Sequence, residues 1–201
     1  MNMRTLFLLF ITSVSLHSQN LNTSTGASKE LGSIEKFYDF QSSYVDNRPI
    51  YIWLPPDFDP NKKHDLLIMH DGQNLFDGSK TWNGREWELD EWASKLILEN
   101  ELSSFIIVGI HNSGEKRWSD YFPEKAYRSV TNSNYFNEET PELNANLYLK
   151  YIVKEVIPFV EVEYLKSSYK YKTIIGGSSM GGLISMYAVF EYPKVFDGAI
   201  A

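Results

Sequence analysis

Three short apolar runs constrain this chain most. Asp65–His70 (DLLIMH), Phe105–Ile110 (FIIVGI) and Lys172–Gly177 (KTIIGG) are nearly continuous in apolar residues rather than alternating. Such runs suit strands buried on both faces, which requires a parallel sheet covered by helices. Helical stripes lie between them. Glu88–Glu99 carries Leu89, Trp92, Ala93, Leu96 and Ile97, and Ala145–Val162 carries Leu149, Ile152, Val153, Val156 and Val160 at a 3.6-residue period. Pro158 is expected to kink or end the second of these. Gly182–Tyr192 reads as a third helix, stopped by Pro193, and Ile200–Ala201 as the opening of a further strand. Two earlier strands, Lys36–Ser42 and Ile50–Leu54, are joined by a turn at Asp46–Pro49. Alternation of strand and helix is α/β grammar, and right-handed crossovers bring the C-terminal ends of the parallel strands to one edge of the sheet.

Composition narrows the classes. The chain has 201 residues, enough for one domain with a sizeable core, and 15% are aromatic, which excludes low-complexity disorder. A formal net charge of −7 argues against a nucleic-acid reader. With no cysteine, there is no disulfide framework, thiolate nucleophile or cysteine zinc site. Met1–Arg4 followed by a mostly apolar Thr5–Leu16 and a polar His17–Gln19 has the layout of a secretory signal peptide cut after Ser18. Residues 19–33 read as a disordered lead-in and 34–201 as the folded domain, exported to the periplasm or beyond, with no stable membrane anchor.

Gly177-Ser178-Ser179-Met180-Gly181 fits G-x-S-x-G in the frame that centres Ser179. A random chain of this length holds the pattern about 0.07 times, given Gly and Ser near 7% each. Its context is also right: an apolar strand precedes it and an apolar helix follows. The glycines are steric. A strand turning sharply into a helix holds the serine in a strained backbone conformation, and side chains on either side would collide. The N–H of Met180 then faces a developing oxyanion beside a helix N-terminus. A second donor usually comes from the loop after an earlier strand; in His70-Asp71-Gly72-Gln73-Asn74, Gly72 permits a tight turn that aims the Gln73 N–H.

These residues resemble the esterase D and enterochelin esterase-like family of the α/β-hydrolase superfamily, over roughly residues 35–201. The matching stretches, in the family's order, are Met69–Phe76, Ile107–Ile110, Arg117 with Asp120-Tyr121 and Pro123, Glu155–Phe159, and Gly176–Gly182. The resemblance implies an α/β-hydrolase fold, a mostly parallel sheet with helices on both faces. It implies Ser179 as nucleophile, Gln73 and Met180 as backbone oxyanion donors, and Arg117 near the mouth of the site; an ion pair of Arg117 with Asp120 or Glu115 is the alternative. Asp71 and Asp197 read as structural. The order in this fold is Ser, acid, His. After Ser179 the chain holds Glu191 and Asp197 but no His, and it stops before the strands and helices that follow the elbow in the family. The expectation is a C-terminally incomplete, inactive and aggregation-prone piece of a secreted serine esterase.

Of the histidines, His17 lies in the leader and His64 precedes a strand. His70 and His111 follow strands, and His111 is a candidate substrate contact. His64, His70 and Asp71 match no helical zinc spacing, so no metal is expected, and serine acyl transfer needs no cofactor. The alternatives are a non-catalytic carbohydrate-binding or pseudoenzyme module, for which Trp82, Trp87, Trp92, Trp118, Tyr121 and Tyr127 supply aromatics, and an acyltransferase using the same serine. Helical spacing places Trp92 in the core. The substrate is a small-molecule or glycan ester, and the polar, aromatic stretch Asn112–Leu143 (Trp118, Tyr121, Phe122, Tyr127, Tyr135, Phe136) points to an aromatic, catecholate or glycosidic one.

Overall fold

The structure is a computed structural model, and it describes residues 30–81, 83–130, 142–166 and 168–201. The leader, most of the lead-in, Trp82, Tyr135 and Phe136 lie outside the described residues.

Six strands form one sheet in the order β1-β2-β4-β3-β5-β6. β1 (Ser33–Phe40) and β2 (Arg48–Leu54) make an antiparallel edge, and β2 pairs antiparallel with β4 (Phe105–Ile110). β3 (Asp65–His70), β4, β5 (Thr173–Gly176) and β6 (Gly198–Ile200) are mutually parallel. The parallel strands are the non-alternating apolar runs. The expected turn at Asp46–Pro49 is shorter than read, because Arg48 and Pro49 already belong to β2, where Arg48 lies opposite Phe40. Arg48 is drawn in by a buried ion pair, its Nη1 2.9 Å from Asp120 Oδ2, with the guanidinium over the rings of Tyr148 and Tyr151.

The helices are α1 (Leu89–Leu98), α2 (Arg117–Tyr121), α3 (Glu124–Val130), α4 (Ala145–Tyr151), α5 (Ile157–Glu163) and α6 (Met180–Glu191). α4 runs into α5 through a π turn at Ile152–Val156. Pro158 therefore does not end the helix. A widened turn just before it accommodates the residue that lacks an N–H, and the helix continues to Glu163.

Chain order decides the layers. β3 to β4 steps one way along the sheet, while β4 to β5 and β5 to β6 step the other way. Right-handed crossovers then place α1 on one face and α4, α5 and α6 on the opposite face. Packing agrees. Ile50, Ile52, Leu66, Ile68, Ile106, Val108 and Ile175 meet α4–α6 in the larger core, while Trp53, Met69 and Ile107 meet Leu75 and Ala93 in the smaller. β3 sits between β4 and β5, so the direction reverses around it. A crevice opens beyond the C-terminal end of such a strand. Along α6, Leu183, Met186 and Phe190 stay exposed, as does Ile200 of β6. Trp92 is 53% exposed rather than in the core; Leu89, Ala93 and Ile97 take the buried stripe of α1, and Trp92 points outward beneath Lys95.

Candidate functional site

Ser179 sits at the junction of β5 and α6 with φ 58° and ψ −117°. A non-glycine residue pays steric energy there, of the order of 1–3 kcal/mol. The flanking glycines make the bend possible. A Cβ on Gly177 would lie 2.9 Å from Gly181 Cα and 3.1 Å from His70 Cβ, and one on Gly181 would lie 3.5 Å from Asp71 Oδ2. The bend thus packs directly on the end of β3. Ser178 and Ser179 are exposed at its tip. Met180 opens α6, where first-turn N–H groups have no partner within the helix.

The loop after β3 forms a 3₁₀ turn, Gly72–Asn74. Its close fit depends on two glycines meeting across the sheet edge: a Cβ on Gly72 would come within 2.4 Å of the Gly109 carbonyl carbon. Gln73 lies in the first turn of this helix, where its N–H has no intrahelical acceptor. Its side-chain Oε1 accepts from Asn112 N at 3.3 Å.

Asp71 takes the left-handed conformation, φ 57°. Arg117 donates to it twice, Nε to Oδ1 at 2.7 Å and Nη2 to Oδ2 at 2.8 Å, and Asn112 Nδ2 donates to Oδ1 at 2.7 Å. Asp71 rather than Asp120 or Glu115 is therefore the ion-pair partner of Arg117; Asp120 is taken by Arg48 and by the Ser113 hydroxyl. Asp197 accepts from Thr173 N at 2.9 Å and so clasps the start of β5.

A cavity of about 430 Å³ opens at Ser179. The bend supplies Ser178 and Ser179, the loop after β3 supplies Asp71 and Asn74, and α2 supplies Arg117. The loop entering α1 supplies Asn83, Arg85, Glu86 and Trp87. Of the aromatics singled out from sequence, Trp87 lines this cavity. Trp118 stacks on Phe122 with centroids 4.8 Å apart, and Tyr121 and Tyr127 are buried. Asn83 and Arg85 were missed; the Asn83-Gly84 turn signal was their only mark in the sequence.

No described histidine lines the cavity. His64 is buried at the opposite edge of the sheet, between Ser104 Oγ (2.8 Å) and the Asp59 carbonyl (2.9 Å). His70 is wholly buried under the bend, its Nδ1 2.8 Å from Tyr148 Oη, and burial pulls its pKa down to about 3. His111, the candidate substrate contact, packs edge-on against Tyr51 at 4.3 Å instead; burial, then Lys36, lowers its pKa to about 4. Rings with such low pKa values are weak bases at neutral pH. Among the described residues no acid and histidine group fits a metal ion, and no helix is long and apolar enough to cross a membrane.

Residues 42–201 match the family described as "Putative esterase". The Bacillus subtilis (strain 168) protein titled "Uncharacterized protein YjcH" is 23% identical over 170 residues, covering 84% of this chain and 60% of its own length. Among solved structures, the BES protein from Bacillus cereus aligns with TM-score 0.61 at 20% identity, over 83% of this chain and 59% of that one. Siderophore hydrolase EstA from Aspergillus nidulans aligns with TM-score 0.60 at 18% identity, over 83% and 55%. The chain thus spans less than two thirds of each.

Proposed function

The chain belongs to the Putative esterase family and has its α/β-hydrolase fold, and from that premise we propose that it carries the nucleophile and oxyanion hole of a serine carboxylic-ester hydrolase. The observation that carries this reading is Ser179, exposed at a cavity with φ 58° between a parallel strand and a helix. In the proposed reaction Ser179 Oγ bonds to the ester carbonyl carbon. The N–H groups of Met180 and Gln73 hold the oxyanion, the alcohol leaves with a proton, and water releases the acid from the acyl-enzyme.

The serine needs a base. His64, His70 and His111 are each engaged elsewhere. In the fold's order of Ser, acid and His the base follows the nucleophile, and residues 180–201 hold no histidine. Residues 1–18 are proposed as an export leader, which predicts an exported chain beginning at Gln19.

The test is a fluorophosphonate probe on the complete protein. Labelling that disappears with Ser179→Ala supports the esterase. No labelling of the complete protein, with glycan binding present, would establish a non-catalytic module instead.

A further inference from the structure

Two arginines line the cavity, and they are not equivalent. Arg117 is committed to Asp71 by two short bonds. Arg85 is exposed and has no ion-pair partner among the described residues. A guanidinium stays charged at any physiological pH and presents a planar fork of donors.

The loop that carries Arg85 is fixed. Asn83 Oδ1 accepts from Arg85 N at 3.1 Å. Thr81 N and Oγ1 both donate to the Gly78 carbonyl. Downstream, Trp87 N donates to Asn74 O at 2.9 Å and Leu89 N to Leu75 O at 3.3 Å. The loop is thereby tied to the same turn that holds Gln73. A ligand that engages Arg85 has only the side chain to order.

Two acids share the cavity. Asp71 is neutralised by Arg117. Glu86 has a buried Oε2 with no hydrogen-bond partner among the described residues, and its pKa is pushed up by burial and then by Glu91, which favours its neutral form. Beside them Trp87 rests partly buried on the smaller core, giving an apolar wall.

We propose that Arg85 selects the substrate: it pairs with a carboxylate on an ester whose apolar body lies along Trp87, with the scissile carbonyl at Ser179. This rests on the reading of Ser179 as nucleophile. The cavity then favours anionic esters over neutral ones of equal length.

The test compares the 4-nitrophenyl monoester of adipic acid with 4-nitrophenyl hexanoate, using the complete protein. Arg85→Gln is expected to lower kcat/KM for the adipate ester about tenfold, as for one partly solvated charge-assisted pair. Hexanoate hydrolysis stays within about twofold. Arg85→Lys recovers part of the preference, Arg85→Glu deepens the loss, and added salt weakens only the adipate reaction. An equal effect of Arg85→Gln on both esters, or none on either, overturns the proposal and leaves the esterase standing. Hydrolysis of neither ester by the wild-type protein counts against the esterase reading instead. Calorimetric titration of Ser179→Ala with adipate monomethyl ester then decides the anion site: binding lost on adding Arg85→Gln upholds it, and equal or absent binding overturns it.

Discussion

Asp71 and Arg117 form one ion pair, yet removing either partner should not cost the same. The Asp71 side chain is 4% exposed and that of Arg117 is 30% exposed. Arg117→Met strands a buried carboxylate whose remaining neutral donor is Asn112 Nδ2, at 2.7 Å. An uncompensated buried charge costs about 3–5 kcal/mol, and the surviving bond brings the expected loss to the low end, about 3 kcal/mol. Asp71→Asn strands the guanidinium, which already reaches water. Two charge-assisted bonds are lost, but rehydration returns much of their worth, leaving about 1.5 kcal/mol. Asparagine also tolerates the left-handed backbone at φ 57°, so little strain is added. Urea unfolding of the complete protein and its three variants, followed by tryptophan fluorescence and far-ultraviolet circular dichroism, gives the two losses and, from the double mutant, their coupling. A coupling of about 1–2 kcal/mol is expected. If Asp71→Asn proves as costly as Arg117→Met, exposure does not govern this pair and the argument fails.

Gly177→Ala should cost about 2 kcal/mol and abolish probe labelling of Ser179, because the new Cβ would sit 2.9 Å from Gly181 Cα, a backbone atom that cannot yield without moving the bend. Retained labelling at wild-type stability would refute this. Stability should also fall with acid. Between pH 6.5 and about 4 the unfolded chain binds protons at His70 and His111, whose folded pKa values are lowered to about 3 and about 4, while Asp90, raised by burial to about 7, keeps one proton in the folded state. The unfolded state therefore holds about one proton more, Glu86 offsetting a little, and stability declines by about 1 kcal/mol per pH unit as pH drops through this window. Urea midpoints at pH 4.5, 5.5 and 6.5 measure the slope. His111→Gln should nearly flatten it, and a wild-type slope of the opposite sign would refute the assignment.

What was legible in the sequence was local. β3 and β4 have the bounds that their apolar runs gave, because continuous apolarity records burial on both faces. The bend at Ser179 was readable from five residues because the glycines that make room for it, Gly177 and Gly181, lie within those five. Trp92 was misread because periodicity marks apolar positions without saying whether a partner faces each one; the smaller core takes Ala93, Leu89 and Ile97 of α1 and leaves Trp92 outside. For Arg117 the alternative of an ion pair with Asp120 or Glu115 rested on closeness in sequence, whereas its partner Asp71 lies 46 residues away across the sheet edge. Arg48 and Asp120, 72 residues apart, were invisible for the same reason. Such pairs exist only once the strand order is known.

Asp71 shows how the local and long-range levels meet. At φ 57° a glycine would sit more easily by about 1 kcal/mol. Aspartate occupies the position because its carboxylate accepts from Arg117 twice and from Asn112 once, and it lies against Gly181 of the bend. Asp71→Gly would relax the backbone and leave a guanidinium and an amide without their acceptor. The strain at Asp71 is thus outweighed by contacts with residues far along the chain, and those contacts join the loop that carries Gln73 to the bend that carries Ser179.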